Sequence, residues 1–337
     1  MVALTQVQST NSRVATALPP NLVAIFAGAT TGIGSTALLA FAKYASRPRI
    51  YFIGRSEEQG AKLTTQMRGA NPQGEYVFLK KDLSLLANVD EVCKEIAARE
   101  KAINVLFMSQ GTLKSGKTPE GLPYMPAVSY YSRLRMANNL LPLIRRAPTL
   151  RRVVSVFAGG HEGRLYVDDI PGRTVSMAGG RGHFASAMTL GLEALARQAP
   201  EVSFVHNFPG SVETDLIRPE SGLMMQPLRW VLKIMFWGRF LSHDECGERH
   251  AYLCVSGMYP SKGGDGGVGL EEGLSVARGT DGRMGSGIYS IDGVGESASE
   301  AAIKVLEKHR GDGLVDKVWE HLESEFKRIT GSVAVGV

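Results

Sequence analysis

The run Gly28-Ala-Thr30-Thr31-Gly32-Ile33-Gly34 carries the strongest chemical signal in the chain. Glycines allow a tight turn and a close backbone approach to a pyrophosphate. Thr30 and Thr31 add hydroxyl donors, and a helix beginning here would offer free N–H groups and its positive dipole end to the same anion. A glycine-rich turn alone is weak evidence; one set between an apolar strand and a helix is strong. The next apolar run ends Ile53-Gly54-Arg55-Ser56. A carboxylate at that point would read the ribose 2′-hydroxyl of NAD. Arg55, with Ser56 beside it, would instead pair with a 2′-phosphate through its planar fork of donors, so the residues favour NADP(H) over NAD(H).

Such a turn works only if a sheet and its helices hold it. "NLVAIFAG" is an apolar run of strand length, and the segment after it, 33–45, has helical spacing. "RIYFIG", "EYVFLKKDL", "INVLFMS", "RRVVSVFAG" and "VSFVHNFPG" read as further strands. Helices are expected at 57–68, 86–100, 128–146 and 182–198, and "GSGIYSID" is a last strand. Strands apolar on both faces, alternating with helices, predict an α/β fold: a doubly wound parallel sheet of Rossmann type covered on each side. The expected organisation is a flexible N-terminal arm over 1–20, a nucleotide-binding domain over 21–297 and a C-terminal helical extension over 298–337. Within the domain, 215–257 reads as a helical lid insertion and 258–285 as a glycine-rich loop.

At 44% hydrophobic and 21% charged, the chain has ample material for a large core. Its net charge of +5 comes from scattered residues, which argues against nucleic-acid binding and is compatible with an anionic ligand. Cys93, Cys246 and Cys254 share no metal-ligand or CxxC spacing, so reduced thiols and no metal are expected. The first twenty residues lack the layout of a signal peptide, and no apolar run is long enough to span a membrane; a cytoplasmic protein is expected. The segment "LMMQPLRWVLKIMFWGRFL" (223–241) suits an apolar wall for a hydrophobic small-molecule substrate. Its mixture of basic and aromatic residues also fits peripheral membrane contact. Homo-oligomerisation is left open.

The spacing GxxxGxG, together with Asn207-Phe208-Pro209-Gly210 after the sixth strand, resembles the short-chain dehydrogenase/reductase family over about residues 21–257. That resemblance implies an adenine contact at Asp82-Leu83 and nicotinamide contacts at Pro209, Gly210, Val212 and Thr214. It also implies that Met108-Ser109-Gln110-Gly111 stands in place of the family's Asn-Asn-Ala-Gly element, with Ser109, Gln110 and Gly111 beside the cofactor. The family's usual chemistry uses a Tyr with a Lys four residues on, because a phenol needs a nearby cation to act as a base at neutral pH. Here no Tyr lies between Tyr166 and Tyr252 and no Lys between Lys117 and Lys233. Phe184 and Met188 take the expected places, Ala158 replaces the Ser of strand five, and Ser129 replaces the Asn of the long helix. Tyr76 and Lys80 match the spacing only on a strand. The likeness narrows to a divergent set, many from fungal natural-product pathways, sharing "YYSR", "AGGHEG" and "FPG".

Replacement groups must then be sought. His183, with an ordinary pKa near 6.5, can donate a proton without a Lys. Tyr130 or Tyr131, about 100° apart on one helix, can place at most one phenol in the cleft. His161 with Glu162, and Ser155, complete the candidates, while Arg133 reads as a surface or ion-paired residue. Three functions stay open: an NADP(H)-dependent oxidoreductase acting on a hydrophobic polyketide or terpenoid, a non-redox cyclase or isomerase on the same scaffold, and a catalytically silent NADP-binding protein.

Overall fold

The computed structural model describes residues 2–210, 241–264 and 266–336. Seven parallel strands form one sheet: β1 (Val23–Ala27), β2 (Arg49–Gly54), β3 (Glu75–Lys80), β4 (Val105–Met108), β5 (Arg152–Val156), β6 (Ser203–Asn207) and β7 (Ile288–Ile291), in the order β3-β2-β1-β4-β5-β6-β7. The described helices are α1 (Leu4–Ser12), α2 (Val14–Ala17), α3 (Gly32–Tyr44), α4 (Glu57–Ala70), α5 (Leu86–Arg99), α6 (Tyr124–Pro126), α7 (Ser132–Arg145), α8 (Met177–Gln198), α9 (His243–Val255), α10 (Glu300–Gly311) and α11 (Leu314–Thr330). Strand order reverses between β1 and β4, and the crevice outside the carboxyl ends at such a switch point is where this class of sheet takes ligands.

The strands are apolar throughout because each face has its own cover. Along β4, Leu106 and Met108 face one core with Ile25, Tyr51 and Val153, filled by α5, α7, α8 and α11. Val105 and Phe107 face the other with Phe26, Phe52 and Val154, filled by α1, α3, α4 and α9. The two-residue alternation of a strand sorts adjacent apolar residues into opposite layers.

The first twenty residues are not a flexible arm. Val2, Val7, Val14 and Leu18 are buried in the second core. Asn11 donates to Glu248 Oε2 (2.7 Å) and to its carbonyl (2.9 Å), pinning α1 to α9. The C-terminal helical extension packs onto the sheet: Val315, Val318, Leu322 and Phe326 of α11 lie in the same core. Arg135, paired with Asp90 (2.7 Å), ties down the tail by donating to the Ser332 carbonyl (2.9 Å). Helix α8 starts earlier than its glycines suggest, because the Ser176 hydroxyl caps Gly179 N–H (3.3 Å).

Described residues of 258–285 form neither helix nor strand, and Tyr259, Val268 and Ala277 anchor them inside. Most of the anticipated lid, and the membrane-contact segment except Leu241, lie outside the described residues. Cys93, Cys246 and Cys254 are free and buried. No described helix is long and apolar enough to cross a membrane.

Candidate cofactor cleft and active site

A cleft of about 540 Å³ runs along the carboxyl edge of β1 to β4. Its walls include Gly28, Thr30, Thr31, Gly32, Ile33 and Gly34 from the turn after β1, Arg55 after β2, Asp82 and Leu83 after β3, and Ser109, Gln110 and Gly111 after β4. These were assembled in sequence from four separate motifs, and the sheet places them side by side. Ser56 is not in the wall; its hydroxyl accepts from Gln59 N–H (3.3 Å) and caps α4. Pro209 and Gly210 are also outside it and pack against Gly293. Val212 and Thr214 lie outside the described residues.

Close backbone packing shapes the turn. Gly28 has φ +73°, and a Cβ on it would lie 2.5 Å from the N and Cα atoms of Gln110. A Cβ on Gly34 would meet the Gly28 carbonyl and the Ser109 hydroxyl at 2.5 Å. Ser109 closes the arrangement, its N–H donating to the Ala27 carbonyl (3.0 Å) and its hydroxyl to that of Gly28 (3.3 Å). Helix α3 thus starts at the cleft with no side-chain cap and no acidic residue in its first turn. Five other helices are closed at this end: Ser56, Ser176, Ser242 and Ser299 cap α4, α8, α9 and α10, while Glu120 accepts from Leu86 N–H (2.8 Å) and Ala87 N–H (3.1 Å) at α5. Helix α11 follows Gly313 with no side-chain cap but with Asp316 in its first turn. First-turn N–H groups with no side-chain cap among the described residues, together with the dipole, make the start of α3 fit an anion such as a diphosphate.

Cations dominate the rim. Arg55 is exposed and has no ion pair or hydrogen bond among the described residues. Lys81 pairs with Glu91 (2.5 Å), and the Lys114 ammonium sits 4.3 Å from the centre of the Tyr124 ring. The one acid in the wall, Asp82, uses a carboxylate oxygen to accept from Ser84 N–H (2.9 Å). At the β4 end, the buried Gln110 amide donates to Ser132 Oγ (3.3 Å), and its Oε1 has no partner among the described residues. A ring of donors, a free guanidinium and an orphan acceptor suit a phosphorylated dinucleotide. Lys81 and Lys114, on loops, and Tyr124 and Val128, on the short helical turns before α7, also line the cleft and were not singled out from sequence, because no motif or period marks them.

The proton-handling candidates are dispersed. His183 is fully buried: Nδ1 accepts from Tyr166 N–H (3.1 Å) and Nε2 bonds the Ile170 carbonyl (3.0 Å). Burial lowers its pKa and the ring is neutral, so its role as the cleft's proton donor is withdrawn in favour of a structural one. Tyr131 is buried with its hydroxyl bonded to His321 of α11 (2.7 Å), and Tyr130 packs on Tyr131 and Phe184 in the core. Neither phenol lines the cleft, and burial raises both pKa values, opposite to what a base requires. Phe184 and Met188 are likewise core residues. Ser155 is buried and accepts from Arg133 (3.0 Å).

His161 and Glu162 do not work as a pair. His161 is half-buried and edge-on to Phe208, with ring centres 4.6 Å apart. Burial and the Arg181 charge lower its pKa. Glu162 turns inward, where Thr189 (2.8 Å) and Ser290 (2.5 Å) donate to Oε1. His206 joins this cluster: Nε2 accepts from Ala158 N–H (3.1 Å), and Nδ1 meets the Thr189 hydroxyl (2.8 Å). Burial opposes the charge on Glu162, but these hydrogen bonds and the imidazole outweigh it and hold the carboxyl below its ordinary range. The cluster braces the loop after β5. Sequence reasoning missed it because its members come from four separate segments.

No family model matches the chain. It is 36% identical over 334 residues to an oxidoreductase of Emericella nidulans, covering 96% of this chain and 98% of the relative. An oxidoreductase of Emericella variicolor, andH, is 33% identical, with 98% and 99% covered. Short-chain dehydrogenase/reductase SAT2 of Stachybotrys chartarum is 28% identical, with 89% and 90% covered. Among solved structures, the KRED1-Pglu enzyme superposes with a TM-score of 0.54 at 18% identity, over 69% of this chain and 95% of that one. A 3-oxoacyl (acyl-carrier-protein) reductase of Agrobacterium tumefaciens C58, solved with NADP bound, gives 0.53 at 19% identity, over 72% and 88%. Both share the fold.

Proposed function

The chain belongs to the short-chain dehydrogenase/reductase family, and from that premise we propose that it is an NADP(H)-dependent reductase of a hydrophobic secondary-metabolite intermediate, working with an atypical catalytic site. The observation that carries the cofactor reading is the uncapped start of α3 at the cleft, with the unpaired Arg55 beside it. The N–H groups at 32–34 would hold the diphosphate, Arg55 the 2′-phosphate, and Asp82 and Leu83 the adenine. Bound there, the cofactor would supply a hydride from nicotinamide C4. The protein would orient the two reactants and exclude water. The fungal relatives named oxidoreductases support the redox class, and the apolar segment 223–241 supports a greasy polyketide or terpenoid substrate bearing a carbonyl or activated alkene.

The test is fluorescence titration with NADPH and NADH, followed by absorbance of the reduced cofactor with candidate substrates. NADPH should bind more tightly, and Arg55→Ala should weaken it about tenfold while leaving NADH unchanged, the size of one exposed charge-assisted contact. Equal loss for both nucleotides would remove Arg55 from 2′-phosphate recognition. A second reading rests on the retreat of His183, Tyr130 and Tyr131 from the cleft: a cyclase or isomerase that uses orientation alone. Substrate turnover with no consumption of NADPH would favour it.

A further inference from the structure

Arg133 is a buried cation with no anion in reach among the described residues. Its residue is 1% exposed. Nε donates to the Gln110 carbonyl (3.1 Å), Nη2 donates to the same oxygen, and Nη1 donates to Ser155 Oγ (3.0 Å) and the Val156 carbonyl (2.7 Å). The Phe157 ring lies 5.5 Å away. No carboxylate among the described residues lies within ion-pair reach. The other two fully buried arginines are compensated differently. Arg135 forks onto Asp90. Arg152 donates to the carbonyls of Leu253 and Ser256, where the negative dipole end of α9 lies. Among the described residues Arg133 has strand-end and loop carbonyls and one hydroxyl, and its charge stands in a medium that screens it poorly.

That charge is placed behind the cleft. Gln110 and Gly111 form the wall at the β4 end, and the side-chain direction of Gly111 leads to Arg133 Nη2 at 3.8 Å. The opposite end is marked by Arg55 and Asp82 over β2 and β3. On the NADP(H) reading above, on which this inference rests, the adenosine half takes that end and the nicotinamide half comes over β4 and β5. The oxidised nicotinamide ring is cationic and the reduced ring is neutral. We propose that Arg133 sets the redox preference of the site: its uncompensated charge opposes the oxidised ring and accepts the reduced one, so the protein holds NADPH more tightly than NADP⁺ and is biased toward reduction.

The experiment compares dissociation constants for NADP⁺ and NADPH by calorimetry. In Arg133→Gln the ratio of the two should fall on the order of tenfold, as for a facing pair of like charges at intermediate dielectric, while Arg133→Lys should keep most of it. Ser155→Asp sets a carboxylate against Nη1 with the other bonds retained. It should lower the ratio in the same direction even where Arg133→Gln fails to fold. A purely structural Arg133 would weaken both forms together, and an unchanged ratio in Ser155→Asp and in any folded Arg133→Gln would overturn the inference. Wild-type protein that binds neither form would overturn the cofactor reading itself, a result distinct from normal binding with a fixed ratio.

Discussion

Substituting alanine at Gly28 tests whether the contact between the turn after β1 and the loop after β4 builds the cleft. Two costs follow from the geometry. The residue sits at φ +73°, where a Cβ is opposed by about 1 kcal/mol. The added carbon would lie 2.5 Å from the N and Cα atoms of Gln110. That backbone cannot swing aside freely, because Arg133 holds its carbonyl with two donors. Overpacking against fixed atoms costs about 1–3 kcal/mol. Gly28→Ala should therefore destabilise the protein by about 3 kcal/mol in urea unfolding followed by circular dichroism. Gly111→Ala is the matched control on the other side of the contact: its Cβ would meet nothing closer than Ser129 Oγ at 3.7 Å, so it should stay within about 1 kcal/mol of wild type. If Gly28→Ala unfolds within 1 kcal/mol of wild type as well, the tight approach of the two loops is not what the chain relies on.

Two histidines give further checks. His183→Ala should cost about 2–4 kcal/mol, since it strips partners from Tyr166 N–H and the Ile170 carbonyl and leaves a void, while NADPH affinity is kept; a variant as stable as wild type whose turnover falls tenfold would return His183 to the mechanism. His250 is buried, with its pKa lowered to about 4 by burial and Nε2 without a partner among the described residues. The unfolded imidazole takes up a proton below about 6.5, and the folded one does not until about 4, so this residue's stability contribution is present above 6.5 and is lost as pH falls to 4. Unfolding free energies across that window should show about 3 kcal/mol more loss in wild type than in His250→Phe; parallel pH profiles for the two would show that His250 charges freely in the folded state.

Periodicity carried the fold and left the active site open, for separable reasons. Each strand is a run of apolar residues that the sheet sorts to two covered faces, so β1 to β6 could be placed from composition and length alone. The turn at 28–34 was legible because glycine and threonine at a strand end have few other uses. The amino-terminal helices were not, because α1 (LTQVQSTNS) has little amphipathic pattern of its own and is ordered by Val7 and Asn11 meeting α9 across the structure. His183 illustrates the converse. Its residue type suggests proton transfer, and only the positions of Tyr166 N–H and the Ile170 carbonyl reveal that both ring nitrogens are committed to backbone.

The buried arginines carry this furthest. Arg133, Arg135 and Arg152 share one residue type, and the first two are separated by a single position on the same helix. Helical geometry turns them about 200° apart, so Arg135 reaches Asp90 on α5 while Arg133 reaches the ends of β4 and β5. Arg152, at the start of β5, meets the end of α9 at the opposite edge of the sheet. Whether an arginine is neutralised is decided by which element it faces, a property of topology. A positive charge stands behind the wall at Gln110 and Gly111 with no lysine on α8, because α7 also faces the carboxyl ends of β4 and β5. Among the described residues that charge has no carboxylate in reach, and on the inference drawn above its effect is directed at whatever occupies the cleft.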